Sequence, residues 1–398
     1  MTDALHSAPA PRCGLPKVPE NSLIASVLLS FLATAGLFYV NIMAALVDGL
    51  IGGVGLTAKQ AGLVASANVY GAAVGALTAV FIIRRLPWRP TAVTVLLGLI
   101  AIDLVSTLLT TPALLIAVRF AHGLIGGLLV GVAFAVIART KTPDRTFGML
   151  LVVQFGLGGL GLMFLPRLSP VFGPGVLFAA LAAFSLVTLA MVPFLGAYKA
   201  APKVVTEGAR SPPPWIPLSL VFTAIFLFQA ANMGLAAYII GLGKSAGLEL
   251  KFITDTLGAA NWIGALGSVL VVVMGVRLGR FWPIVAGLAL TLAGTWAFHF
   301  SQLPWVYLVA NIGTAITWAF VIPYLLGMSA AFDKAGQMAA LAGFFSKMGL
   351  ASGPAMAAFV AAGGQYDGLI NISVLGLALS GFAAAAPALL LDRQRPPG

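Results

Sequence analysis

Arg119, His122 and Lys347 sit inside long apolar runs of this 398-residue sequence, with Asp103 in the run before Arg119 and Asp48 at the edge of the first run. An ionisable group at membrane depth costs several kcal/mol unless it is paired or lines a wet cavity, so each of these residues marks binding, proton transfer or a structural ion pair. Asp103 lies eight residues before Thr111 and Arg119 eight after it, which puts both at similar depth across a short turn. They can pair with each other, or Arg119 can present its cation to a substrate. His122 is one helical turn from Arg119 on the same face; it is either simply hydrogen-bonded or a proton site, since imidazole titrates near physiological pH. Asp103 and Asp48 are the acidic candidates for the same proton chemistry, Asp48 also reading as a solvated end-of-helix carboxylate. Lys347 lies ten residues past Gln337, near the middle of its run; it pairs with a carbonyl or an acid, or it contacts substrate or an ion.

Uncharged polar residues fall on matching faces. Asn41 and Asp48 are two turns apart, Gln229 and Asn232 are one turn apart, and Asn311, Thr314 and Trp318 share one face of a helix. Asn68, Tyr70, Asn261 and Trp262 either edge a cavity or pack helices by hydrogen bonds, with packing the favoured reading for Asn68 and Asn261. Pro323 and Pro354 free backbone carbonyls within apolar runs and are candidate hinges. Soluble catalysis has no foothold, because the three histidines are far apart, no phosphate-binding glycine loop is present and no carboxylate pair has catalytic spacing. Cys13 is the only cysteine, so neither an intramolecular disulfide nor a cysteine metal site can form. No cofactor, metal or nucleotide is called for, and the chain is not expected to be an enzyme.

The elements that carry these residues are long apolar stretches near 22–47, 57–82, 91–110, 112–137, 147–166, 174–195, 217–241, 252–275, 281–299, 303–328, 337–362 and 368–391. Each has about the 20 residues that span a bilayer. With 60% hydrophobic and 8% charged residues, the chain has more apolar surface than a soluble core can hide. Sixteen of the 22 basic residues lie at the termini or in every second gap, which predicts both termini on the cytoplasmic side. The net charge of +11 then reflects topology and lipid contact, with no nucleic-acid partner.

Residues 1–21 form a polar, Pro-rich cytoplasmic tail, and 392–398 a second one. Residues 196–216, with the Pro212-Pro213-Pro214 run, break the hydrophobic pattern and separate a first six-helix half, 22–195, from a second, 217–391. A shift of 193 residues lays Asn68, Gly71 and Arg84 on Asn261, Gly264 and Arg277. The same shift lays Gln154-Phe155-Gly156-Leu157 on Lys347-Met348-Gly349-Leu350, so the halves read as a duplication and position 154/347 is polar in both.

Two parallel six-helix halves with a cytoplasmic central loop resemble the major facilitator superfamily of secondary transporters. The segment Arg119-Phe-Ala-His122-Gly123-Leu-Ile-Gly126-Gly127 is similar to that family's Arg-x-x-x-Gly-x-x-x-Gly signature, and Arg277-Leu-Gly279-Arg280 follows the eighth run. The family's loop after the second run usually carries an acid, whereas here it reads Arg84-Arg85-Leu-Pro-Trp-Arg89. The exporter Gly-Pro step is absent from the fifth run, and Gly353-Pro354 occurs in the eleventh instead. The resemblance implies an all-α membrane fold of twelve spans, a cavity lined by the first, fourth, seventh and tenth, and gating at Arg84, Arg277, Arg280, Pro323 and Pro354.

Arg119 and Lys347 are deep, while Asp48 and Asp255 lie near the outer ends, so the cavity reads as neutral to positive. The expected function is alternating-access transport of a small organic anion, coupled to protons or to anion exchange. Lys347, Arg119, Asn41, Gln154, Gln229, Asn232, Asn311 and Trp318 are the expected substrate contacts, and His122, Asp103 and Asp48 the proton-coupling candidates. The alternative is proton-coupled efflux of amphiphilic compounds; a receptor or a channel fits less well. The expected setting is a multi-pass monomer in a bacterial inner membrane.

Overall fold

The computed structural model describes residues 16–82, 86–198, 214–275, 277–332, 337–361 and 364–394. Among the described residues the secondary structure is helical, without a strand. The α-helices are α1 (Leu23–Ala35), α2 (Phe38–Asn41), α3 (Met43–Gly52), α4 (Ala58–Ile82), α5 (Trp88–Ser106), α6 (Pro112–Ile137), α7 (Pro143–Phe172), α8 (Gly175–Met191), α9 (Trp215–Ser245), α10 (Leu250–Met274), α11 (Phe281–Ala297), α12 (Pro304–Phe332), α13 (Gln337–Val360) and α14 (Asp367–Arg393). Ten of them are long and apolar enough to cross a membrane, and α1 and α3 are shorter apolar helices. Large side chains such as Phe81, Val272, Leu290 and Phe382 face outward, as a lipid-facing surface requires.

Local sequence explains the helix ends. Ser22 accepts a hydrogen bond from the Ala25 amide at the start of α1, and Thr57 and Gln60 form a reciprocal capping box before α4. Pro112 and Pro143 open α6 and α7, where a missing N–H has no cost. Two expectations need correction. The first apolar stretch is three helices rather than one: α1 ends at Ala35 with Gly36 as its C-cap, where a Cβ would lie 2.3 Å from the Gly126 carbonyl oxygen of α6. The fifth stretch is longer than 147–166: α7 runs to Phe172 through Pro166 and Pro170. Proline inside a membrane helix is tolerated where neighbours re-satisfy the freed backbone.

Packing falls into two sets. Among α1–α8, α4 packs on α6, α5 on α8 and α6, and α1 on α7; among α9–α14, α9 packs on α13 and α14, α10 on α12, and α11 on α12 and α14. The α4–α6 and α10–α12 pairs occupy equivalent places in the two sets. Contacts of α4 with α13, α7 with α10 and α3 with α9 join them. Leu29, Leu96 and Val136 belong to a core within the first set, and Ile225, Leu325 and Ala388 to one within the second. A third core is shared, with Leu46, Val64, Tyr238, Ile239, Tyr307 and Ala357 meeting across the sets. The predicted linker 196–216 is described only to residue 198 and from 214; residues 199–213 lie outside the described chain. Its start is fixed by Arg89, which donates to the Leu195 and Gly196 carbonyls, and by Glu20, whose carboxylate accepts from the Ala197 and Tyr198 amides.

The tightest seam is α4 against α6. A Cβ at Gly123 would sit 1.8 Å from the Asn68 backbone oxygen, and one at Gly71 2.1 Å from that of Phe120. Small residues allow such approach in membranes, where packing and not hydrophobic exclusion holds helices together. Gly123→Ala is therefore expected to cost about 1–3 kcal/mol or more, as overpacking against unyielding backbone does. Gly313→Ala, whose Cβ would meet nothing within 4 Å, is expected to melt like the parent. Equal melting temperatures for the two variants in detergent would count against this packing.

Candidate functional site

Between the two sets lies a cavity of about 480 Å³, within the range of small-molecule sites. Its polar lining includes Asn41, Asn68, Gln154, Gln229, Asn232, Asn261, Asn311, Thr314, Trp318 and Lys347, set among apolar residues such as Met43, Met233 and Leu257. Helices α2, α4, α7, α9, α10, α12 and α13 thus each contribute at least one polar group.

Several of these groups are already oriented. The Trp318 Nε1–H donates to Gln229 Oε1 at 2.7 Å, and Gln229 Nε2 donates to Ser346 Oγ at 2.8 Å, so this amide is pinned at both ends. Asn232 donates to the Phe228 carbonyl and Asn311 to the Tyr307 carbonyl, each at 2.8 Å one turn back along its own helix. Tyr70 and Ser352 hydrogen-bond at 2.7 Å across the sets, and Trp262 Nε1 donates to the Gly156 carbonyl at 3.1 Å. Lys347 differs from all of these. It lines the cavity, and no hydrogen bond or ion pair engages its ammonium among the described residues.

A second cluster lies just outside the cavity. Arg119 and Asp103 are fully buried and joined at 2.7 Å, and Arg119 also donates to Ser106 Oγ and, at 3.1 Å, to the Ile102 carbonyl. Its guanidinium lies 4.8 Å from the Phe178 ring centre. His122 Nε2 is 3.2 Å from Asp103, and His122 Nδ1 is 2.8 Å from Asn68 Nδ2, which also donates to the Arg119 carbonyl at 3.2 Å. The pairing that the turn at Thr111 makes possible is present. Arg119 lies outside the cavity lining, its terminal nitrogens bonded to Asp103, Ser106 and the Ile102 carbonyl while its Nε has no partner among the described residues. The substrate contact expected of Arg119 is not made from this position.

The remaining predicted residues separate in the same way. Asn41, Gln154, Gln229, Asn232, Asn311, Trp318, Lys347 and Pro323 line the cavity, whereas His122, Asp103, Asp48 and Pro354 do not. Asp48 instead accepts a bond from Lys244 Nζ of α9 at 2.6 Å. Arg277 is exposed; the Arg280 amide, with that of Phe281, is capped by the Asp392 carboxylate, and Arg84 lies outside the described residues. Asn68, assigned to packing from sequence, bonds His122 and also lines the cavity, as Asn261 does. Two features were missed. Ser106, one turn after Asp103, was readable from spacing as a third member of the Arg119 cluster, and Lys251–Asp255 as an i,i+4 pair, whereas the link of Asp255 to Arg167 has no local signal.

Those missed charges close one end of the cavity. Arg167 of α7 pairs with Asp255 of α10, which also takes Lys251 at 2.9 Å, and Tyr238 of α9 donates to the Ala58 carbonyl at the start of α4 at 2.7 Å. With Asp48–Lys244, these contacts sit where α3, α7, α9 and α10 meet their connecting loops, alongside the shared core. Among the described residues, every ion pair joining the two sets lies at this end. Toward the chain termini the sets keep separate cores.

The sequence matches the family profile described as Major Facilitator Superfamily over residues 25–356. The chain belongs to the Major Facilitator Superfamily. It is a transporter and not an enzyme, built as an integral, multi-pass membrane protein. Among solved structures it is similar to a nucleoside transporter, NupG, crystallised as a mutant, with a TM-score of 0.69 at 13% identity over 92% of this chain and 99% of that one. A D-xylose-proton symporter gives a TM-score of 0.65 at 15% identity over 94% and 98% of the two chains. At such identities the likeness is one of fold. No curated protein sequence matches this superfamily member significantly.

Arg119→Ala strands the Asp103 carboxylate in a dry interior and is expected to cost about 3–5 kcal/mol, as breaking a buried pair does. Adding Asp103→Asn should restore most of the folded yield, read by size-exclusion chromatography of detergent extracts. A double variant no better than Arg119→Ala alone would argue against the pair as the source of the loss.

Proposed function

We propose that this chain is a secondary active transporter that moves a small organic anion by alternating access, coupled to protons or to anion exchange. Lys347 carries the reading. A cation in the cavity wall with no acidic partner among the described residues is costly in hydrocarbon, and a carboxylate entering the cavity supplies the missing counter-charge. Asn41, Gln154, Gln229, Asn232, Asn311 and Trp318 then supply the surrounding contacts, and Arg119 acts indirectly through the buried cluster that holds His122 and Asp103.

In this reading α1–α3 together make one span and α4–α14 eleven more, giving twelve, with both termini cytoplasmic as the distribution of basic residues suggests. The halves are 22–195 and 217–391, with 1–21, 196–216 and 392–398 on the cytoplasmic side, in a bacterial inner membrane and as a monomer. Alternation opens the end closed by Asp48–Lys244 and Arg167–Asp255, with Pro323 and Pro354 as hinges and Arg84, Arg277 and Arg280 at the cytoplasmic gate. A second reading, proton-coupled efflux of amphiphilic compounds, is favoured by the predominantly apolar side chains of the cavity, such as Met43, Met233, Leu257 and Ile322.

The deciding measurement is the shift in melting temperature of the purified protein with benzoate, lactate and gluconate against lipophilic cations such as tetraphenylphosphonium. A ligand present at 100 times its Kd and binding only the folded state stabilises by about 2.7 kcal/mol. Stabilisation by a carboxylate that vanishes in Lys347→Gln, with the variant's own melting unchanged, is the expected result. Stabilisation by cations alone would move the chain to the efflux reading and remove Lys347 from the site.

A further inference from the structure

Of the carboxamide side chains that line the cavity, those of Asn41, Asn68, Gln229, Asn232 and Asn311 already donate hydrogen bonds within the protein. Gln154 of α7 and Asn261 of α10 do not. Both are half-buried, and neither side chain has a hydrogen bond among the described residues. Each stands on the stripe of its helix that faces the cavity, Gln154 one turn after Leu151 and Asn261 one turn after Leu257. They share one corner. The point where a Cβ would stand at Gly158, one turn after Gln154, is 3.0 Å from Asn261 Nδ2 and 3.8 Å from Asn41 Cγ. Any larger residue at 158 would press on both side chains, so the glycine keeps the corner open. In a largely apolar wall, amides without partners forfeit hydrogen bonds that a ligand can restore.

This corner and Lys347 lie on different seams between the two sets of helices. α7 meets α10 along one and α4 meets α13 along another, and Lys347 stands on α13. The shift of 193 residues that relates the halves lays Gln154 on Lys347, so equivalent places in the two sets carry an amide and an ammonium. Among the described residues no Asp or Glu lines the cavity, and Lys347 is its only cation. A carboxylate set at Gln154 and Asn261 would therefore stand without a counter-charge, and so would an ammonium. A hydroxyl or a carboxamide is met in full, because each amide there offers both a donor and an acceptor.

We infer that the cavity binds a monocarboxylate with a neutral polar group, a hydroxyl or a carboxamide, at the end away from its carboxylate. Lys347 takes the carboxylate, and Gln154 and Asn261 take the neutral group. The inference rests on the organic-anion reading of the cavity and narrows it: dicarboxylates, amino acids and wholly apolar acids become the poorer ligands.

Calorimetric titration of the purified full-length protein with substituted benzoates tests this. The better of 3- and 4-hydroxybenzoate is expected to bind about five- to ten-fold more tightly than the methylbenzoate of the same shape, the worth of about one neutral hydrogen bond. Isophthalate and terephthalate, with a second carboxylate in the same places, should bind no better than the methyl acids. In Asn261→Leu and in Gln154→Leu the hydroxyl preference should fall below about two-fold while methylbenzoate affinity is kept, a change that a merely structural role would not produce. Neither amide bonds within the protein, so both variants should melt like the parent. Lys347→Gln should weaken the hydroxy and methyl acids alike. Equal affinity of the parent for hydroxy and methyl acids overturns the inference and leaves the anion reading standing, and so does a hydroxyl preference that survives in both leucine variants. If no benzoate derivative binds the parent, the anion reading fails and the inference falls with it.

Discussion

Burying the Arg119 guanidinium away from water requires its charge to be met, and the architecture of α4, α5 and α6 follows from how that is done. Asp103 meets the charge, Ser106 and the Ile102 carbonyl accept from Nη2, and Nε is left without a partner among the described residues. Because Asp103 and Arg119 stand on opposite sides of a five-residue connection, their pairing fixes the relative depth of α5 and α6. The Arg119 carbonyl then anchors Asn68, and the glycines that follow bring α4 against α6 at backbone contact. A change at any of these positions is felt at the others, since none has water to fall back on.

The cavity is the complement of this rigidity. One end of the bundle has a core common to both sets of helices and carries the ion pairs that cross between them, while toward the chain termini each set closes on its own core. The space left between them holds several amides whose orientations are set by their own helices or by neighbours, and one ammonium that is not so engaged among the described residues. In the organic-anion reading proposed above, preorganised neutral groups around a single such charge discriminate by charge first and by hydrogen-bond geometry second.

Much of this was legible in the chain. Hydropathy and spacing located the long helices, with 112–137 and α6 coinciding, and the count of residues around Thr111 made the Asp103–Arg119 pair available. Polar faces such as Asn311, Thr314 and Trp318 line the cavity because a helix turns its period-3.6 stripe in one direction. What one-dimensional pattern does not carry is the partner of each charge. Arg119 reads equally as a ligand contact until Asp103 and Ser106 are seen to occupy it. The link between Arg167 and Asp255 spans two helices from different halves, and nothing in either segment announces the other. The break after Ala35 is marked in the chain only by Gly36, and the close approach of that glycine to the α6 backbone at Gly126 belongs to the fold.

The distribution of ion pairs has a further consequence. Lys244, Lys251 and Asp255 are partly exposed, so their attractions weaken as mobile ions accumulate around them. Contacts of that kind stand at one end of the cavity and have no counterpart, among the described residues, at the other. In the alternating-access cycle proposed above, ionic strength therefore acts on the balance between access states with a definite sign, because added salt loosens the end that these pairs hold. The medium bathing that end becomes a thermodynamic participant in the proposed cycle.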